Sequence, residues 1–248
     1  MAHYIDKQSA KEFMLETLSR ITLEELEQIQ ADLRLKVERM KALVQRAQQG
    51  QFTDADFKML LRCVFATRRR VDKIVQQYSA DYFAKQVRQL LHEEQPVGWR
   101  FQTFFNAFPE IPETLRYDLT SEILFYSDPE KYWMWTRWMW DPNTKTGSLP
   151  LVLMEKFSLD AGSPGEIYEK VGEAIYHLRE IGKAPEIPSF LQTAFGAYTY
   201  LACVYVIYTY TVLRMRMTQE FNKVMPKLPE FTRRLLGIYS LEEIKHAS

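Results

Sequence analysis

Four of the chain's five tryptophans fall between Asp128 and Trp140, in the run DPEKYWMWTRWMW. Tyr132, two methionines and a single arginine, Arg137, complete its large side chains. So much aromatic surface in so short a segment has to be covered, either by the chain's own core or by something that binds it. The start of the run reads as a helix N-terminus, with Asp128 as cap, Pro129 in the first helical position and Glu130 favoured by the dipole. A helix here puts Trp133, Arg137 and Trp140 along one side and Trp135 and Trp138 along another. An arginine between indoles can stack on them and still offer donors to an anion.

The remainder of the chain is punctuated for helices. Ser9–Glu12, Thr22–Glu25, Thr53–Asp56, Ser163–Glu166 and Ser240–Glu243 have capping-box spacing, and Ser189–Gln192 offers the same signal. From Thr22, the apolar positions Leu26, Ile29, Leu33, Met40, Leu43 and Ala47 follow a seven-residue repeat until Gly50 stops it. Lys36 interrupts that repeat where an apolar residue is due. A third helix is expected from Thr53 to about His92, with Phe57, Leu61, Val64, Val71, Val75, Tyr78 and Tyr82 on one face. The short link between the two long segments predicts an antiparallel helical hairpin.

Glu94–Gly98 breaks the pattern, and the composition then shifts from charged and aliphatic to aromatic. The expected organisation is an N-terminal hairpin unit over 1–94 and an aromatic-rich helical unit over 99–248, two units or one continuous domain. A short helix is expected near Glu113 to Ser127. Another opens at Ser163, buries Ile167, Val171, Ala174, Ile175 and Leu178, and is closed by Gly182. The predicted fold class is all-α, the hairpin packed on or linked to a larger aromatic-rich bundle around Asp128–Trp140 and Ser189–Met217.

Ile187–Leu213 is a run of 27 residues without formal charge. It is long enough to cross about 30 Å of hydrocarbon as a helix. Its five tyrosines and its threonines, however, place hydroxyls in the middle rather than at two interfaces. With 26% charged residues and a mean hydropathy of −0.32 overall, the run reads as a buried central helix, not a membrane span. Two distant cysteines and no charged-then-apolar leader fit a reducing, cytoplasmic setting.

No catalytic set stands out. Glu173 and His177 share a helix face with Glu166, Lys170 and Glu180, which reads as a solvated side. The remaining histidines, His3, His92 and His246, make no second metal-ligand pair away from the C-terminus, so no metal site is expected. Cys63 and Cys203 sit among apolar residues and read as inert thiols. The Lys-Thr-Gly at 145–147 lacks the order of a phosphate loop. No cofactor is specified by these residues.

Three functions fit such a chain. The first is a non-catalytic adaptor or assembly subunit that binds a protein, a second copy or another chain, through the heptad-patterned hairpin and whatever part of the Asp128–Trp140 helix stays exposed. The second is a small-molecule-binding protein or enzyme with a pocket lined by Trp133, Trp135, Trp138, Trp140, Tyr205 and Tyr208, with Arg137 orienting a flat or anionic ligand. The third is a sequence-independent nucleic-acid binder using Arg68, Arg69, Arg70 and Lys73. Lysine and arginine equal aspartate and glutamate at 32 each, so any such binding needs a local patch. The segment from Ala31 to Leu90 has 13 basic and 6 acidic residues, a mild bias only. Arg68 lies in register with the apolar helix face, where it is expected to snorkel to the core edge or meet a carboxylate.

Overall fold

The computed structural model describes residues 4–182, 189–216 and 226–238. Among them the regular structure is helical, with only isolated β-bridges, Ile5 to Leu153 and Asp141 to Thr146. The helices are α1 (Lys7–Leu18), α2 (Leu23–Gln48), α3 (Asp54–Cys63), α4 (Val71–Gln77), α5 (Ala80–Leu91), α6 (Val97–Asn106), α7 (Glu113–Ser127), α8 (Pro164–Ile181), α9 (Gly196–Arg216) and α10 (Leu228–Leu235). The Ser240–Glu243 signal, His3, His246 and Met217 lie outside the described residues. No described helix is long and apolar enough to cross a membrane.

Several helix boundaries follow directly from side-chain chemistry. Thr22 and Glu25 exchange hydrogen bonds at the start of α2, and Thr53 and Asp56 do so at α3. Gly50, at φ 72°, takes the left-handed conformation just past α2. α1 is capped three residues before Ser9, because the Asp6 carboxylate already accepts from the amides of Gln8 and Ser9.

The chain folds as two compact units assembled from interleaved segments. Unit 1 comprises Met1–Leu33, Trp138–Ser158 and Ala174–Glu243. Its centre is α9, which lies against α1 and α10. Tyr200, fully buried, donates to the Ala10 carbonyl at 2.8 Å. Thr193 donates to Gln30 at 2.7 Å, and Arg233 pairs with Asp32. The uncharged run is therefore helical from Gly196, after a short 3₁₀ turn at Ser189–Gln192 rather than directly from the Ser189 cap. At the chain's start, Asp6 and Met154 donate to Val152 and Tyr4, tying the first residues to the segment before α8.

Among the described residues, unit 2 comprises Arg34–Arg137 and Leu159–Glu173. The break at Glu94–Gly98 lies inside it, between α5 and α6. α7 is its central helix, with every residue from Tyr117 to Tyr126 buried. One set of rings, Phe52, Phe57, Phe83, Phe104 and Phe108, joins α3, α5 and α6 at centroid separations of 4.4–6.3 Å.

Two predicted helices are corrected. The third helix is not continuous: it is divided into α3, α4 and α5, so the second arm of the expected hairpin is in pieces. Val64 leaves α3 in an extended conformation, and the buried Thr67 hydroxyl donates to the carbonyls of Leu61 and Val64 instead of continuing the helix. Ser79 then caps α5 by accepting from the Tyr82 amide. The Asp128–Trp140 stretch is not a helix at all. Asp128 ends α7 in an extended conformation, as a residue before proline favours, and the tryptophan segment continues in irregular and turn geometry.

Candidate functional site

The lysine that interrupts the α2 repeat marks the most unusual chemistry in the protein. Lys36 is 1% exposed, in unit 2, with its ammonium 2.8 Å from Glu122 Oε2 on α7. The same nitrogen lies 4.6 Å above the Tyr126 ring. Burial by itself lowers a lysine pKa; the facing carboxylate and phenol more than offset that, and Lys36 is held above its ordinary value. Burial pushes the Tyr126 phenol up to about 12 and also raises Cys63. The Cys63 thiol thus stays protonated at neutral pH and is a poor nucleophile. This centre keeps its charge to itself, and its chemistry is to fix α2 against α7.

The aromatic stretch is held by α7 and α8. Within unit 2, Trp133 Nε1 donates to the Tyr168 carbonyl at 2.6 Å, and the Tyr168 hydroxyl donates back to the Trp133 carbonyl at 2.9 Å. The two rings stack at 4.7 Å, and Gly172 on α8 gives the indole room, since a Cβ there would overlap it. Phe101 stacks on Tyr168 at 4.5 Å, and the fully buried Trp135 lies against Phe101 and Tyr117. Polar side chains of α7 satisfy the irregular backbone: Ser121 accepts from the Trp135 amide and Asp118 from the Arg137 amide. Arg137 is half-buried, with its Nε lacking a hydrogen-bond partner among the described residues.

Trp138 and Trp140 belong to unit 1 and are buried there. Trp138 lies 6.4 Å from Tyr205 on α9, and its Nε1 has no hydrogen-bond partner among the described residues. Tyr208 is exposed. Trp133, Trp135 and Arg137 thus fall in unit 2, and Trp138, Trp140, Tyr205 and Tyr208 in unit 1.

Two clefts open among the described residues of unit 2. The smaller, about 150 Å³, is lined by Lys41, Gln45, Gln48, Glu93, Asp128 and Tyr132 among others. The wider and more open one, about 400 Å³, runs along Gln48, Arg88, Gln89, Leu91 and His92. Beside the first, Tyr132 donates to Glu93, which also pairs with Lys131, while the buried Arg100 donates to the Leu90 and Gln95 carbonyls. Neither cleft is lined by the seven residues expected to bind a ligand. Among the described residues, no three of histidine, cysteine, aspartate and glutamate come together as a metal site. His177 instead meets the rings of Tyr4 and Tyr176 in unit 1.

The basic run sits in a turn, which corrects its assignment to a helix. Arg68, Arg69 and Arg70 lie between α3 and α4, and Lys73 is in α4. Arg68 is half-buried, its guanidinium 4.7 Å over the Phe65 ring, and it pairs with no carboxylate among the described residues. Arg69, Arg70 and Lys73 are exposed.

Sequence reasoning missed Glu122, Tyr126, Ser121 and Asp118, all on α7. The signal for Glu122 was Lys36, a charge in a core register that demands a partner. Compared with protein-family models, curated proteins and solved structures, the chain matches none.

Proposed function

We propose that this chain is a non-catalytic protein-binding subunit. The observation that carries this reading is Trp99, the one tryptophan outside the aromatic stretch, which is 56% exposed on α6. Its helix is anchored by Phe101, Phe104 and Phe105, all buried, so the indole is presented from a rigid support. Tryptophan is enriched among the few residues that carry most of the binding energy at protein interfaces.

Trp99→Ala and Trp99→Glu variants test it in the full chain. Sedimentation velocity separates self-association from binding of another chain, and interface formation is read by the fluorescence shift of the exposed indole. The expected result is an assembly that the wild type forms and both variants weaken on the order of tenfold or more. Assembly equally strong in both variants, or a chain that stays monomeric and unassociated in extract from its own host, would overturn the reading.

A further inference from the structure

A neutral chain has gathered unneutralised positive charge at one corner of unit 2. From Phe57 to Ala80 there are six cations, Lys58, Arg62, Arg68, Arg69, Arg70 and Lys73, against the single carboxylate of Asp72. Lys58 and Arg62 are exposed one turn apart on α3, Arg69 and Arg70 are exposed on the turn, and Lys73 is exposed on α4, which packs on α3. None of the six is in an ion pair among the described residues.

The corner is also rigid. Thr67 is fully buried and its hydroxyl clamps the carbonyls of Leu61 and Val64 at 2.7 and 3.3 Å. The Arg70 amide donates to the Thr67 carbonyl at 2.8 Å, which closes the turn before α4. Arg69 and Arg70 are thus presented from a folded turn, next to Lys73 on α4.

We propose that this corner binds the phosphate backbone of duplex nucleic acid without reading its sequence. Four of the six cations are arginines, whose planar forks match phosphate oxygens. No large apolar side chain between Phe57 and Ala80 is exposed, so the corner lacks the anchors of a protein interface and the insertion residues of a membrane surface. A single strand would need free aromatic faces to stack its bases. The Phe65 ring is covered by Arg68. This inference is independent of Trp99.

The test is fluorescence anisotropy of the full chain with a labelled random-sequence duplex, titrated at several salt concentrations. Each phosphate contact adds about −0.9 to the slope of log K against log salt, so the corner predicts a slope of about −3 to −4. Arg69→Glu/Arg70→Glu should weaken binding at least tenfold and flatten the slope by about two, while Arg69→Lys/Arg70→Lys keeps most of it. Arg69→Gln/Arg70→Gln, a milder change at exposed positions, serves if the charge reversal perturbs folding. Absent binding at low salt, or a slope unchanged in the variants, overturns the proposal. So does tighter binding to single strands, to anionic phospholipid vesicles or to polyglutamate, each of which names a different partner.

Discussion

Lys36 and Glu122 form an ion pair with almost no water around it: their side chains are 1% and 4% exposed. Taking both charges out of solvent costs several kcal/mol per ion, so the pair is a poor source of net stability even with good geometry. Removing one member is different, because the other is left charged or forced neutral in the core. Lys36→Met alone should therefore destabilise the protein by about 3–5 kcal/mol, and Glu122→Leu alone by a similar amount. The Lys36→Met/Glu122→Leu double variant should recover most of that loss. Urea unfolding of the three variants decides it; additive single losses would mean that the two side chains are not a buried pair. Half of this centre was legible beforehand. A lysine in the a/d register of an otherwise apolar repeat declares a buried partner, but nothing in the local pattern of α7 marks Glu122 as that partner. Tyr117 to Tyr126 mixes Asp118, Ser121 and Glu122 with apolar residues, and their partners, the Arg137 and Trp135 amides and Lys36, lie elsewhere in the chain where no local pattern points to them.

Elements whose ends are set by local hydrogen bonds were readable for that reason. The Thr53–Asp56 box at α3 is the clearest, and it makes stability depend on pH. Burial of Asp56 pushes its pKa up, but the Thr53 amide and hydroxyl, with Arg46 at 2.7 Å, outweigh this and hold it below the usual carboxylate value. Because the folded pKa lies below the unfolded one, the unfolded chain binds more protons in the acid range and stability falls as pH falls. Relative to wild type, Asp56→Asn should cost about 1–2 kcal/mol at neutral pH. That difference should hold down to about pH 4 and shrink as acid protonates the wild-type carboxylate. Arg46 is 57% exposed, so Arg46→Ala should cost much less. A difference between Asp56→Asn and wild type that is flat from pH 7 to pH 2 would remove the carboxylate from the cap. The aromatic stretch was misread at the same scale, since a proline after an aspartate can open a helix or end the preceding one. What decided it was tertiary: Ser121, Asp118 and Tyr168 supply partners to an irregular backbone, and Trp133 and Trp135 pack into α6, α7 and α8. Thr67 and Ser79 divided the third helix by the same kind of competition, hydroxyls that bond backbone groups outside the helical pattern.

At the scale of the whole molecule, the all-α class was legible from caps and periodicity, because both are local. The grouping of helices was not, because it depends on which segments return to one another. Unit 1 takes its residues from three stretches of sequence, and α2 and α8 each contribute residues to both units. Glycine and proline at 94–98 mark a loop, and a loop need not be a boundary. A fragment ending at Glu94 would hold α1 and α2 without α9, whose Tyr200 bonds Ala10 and whose surface covers α1. It would also hold α3 to α5 without α6 and α7, and Lys36 without Glu122. The fragment 1–94 should therefore be helical only in part, exchange its amides rapidly and melt without a cooperative transition, while the full chain melts cooperatively. Mixing it with the fragment 95–248 should restore slow amide exchange in α5, α7 and α9, because only together do the two complete either unit. A cooperative transition in 1–94 alone, with protected amides in α2 and α3, would instead make the N-terminal helices a domain in their own right.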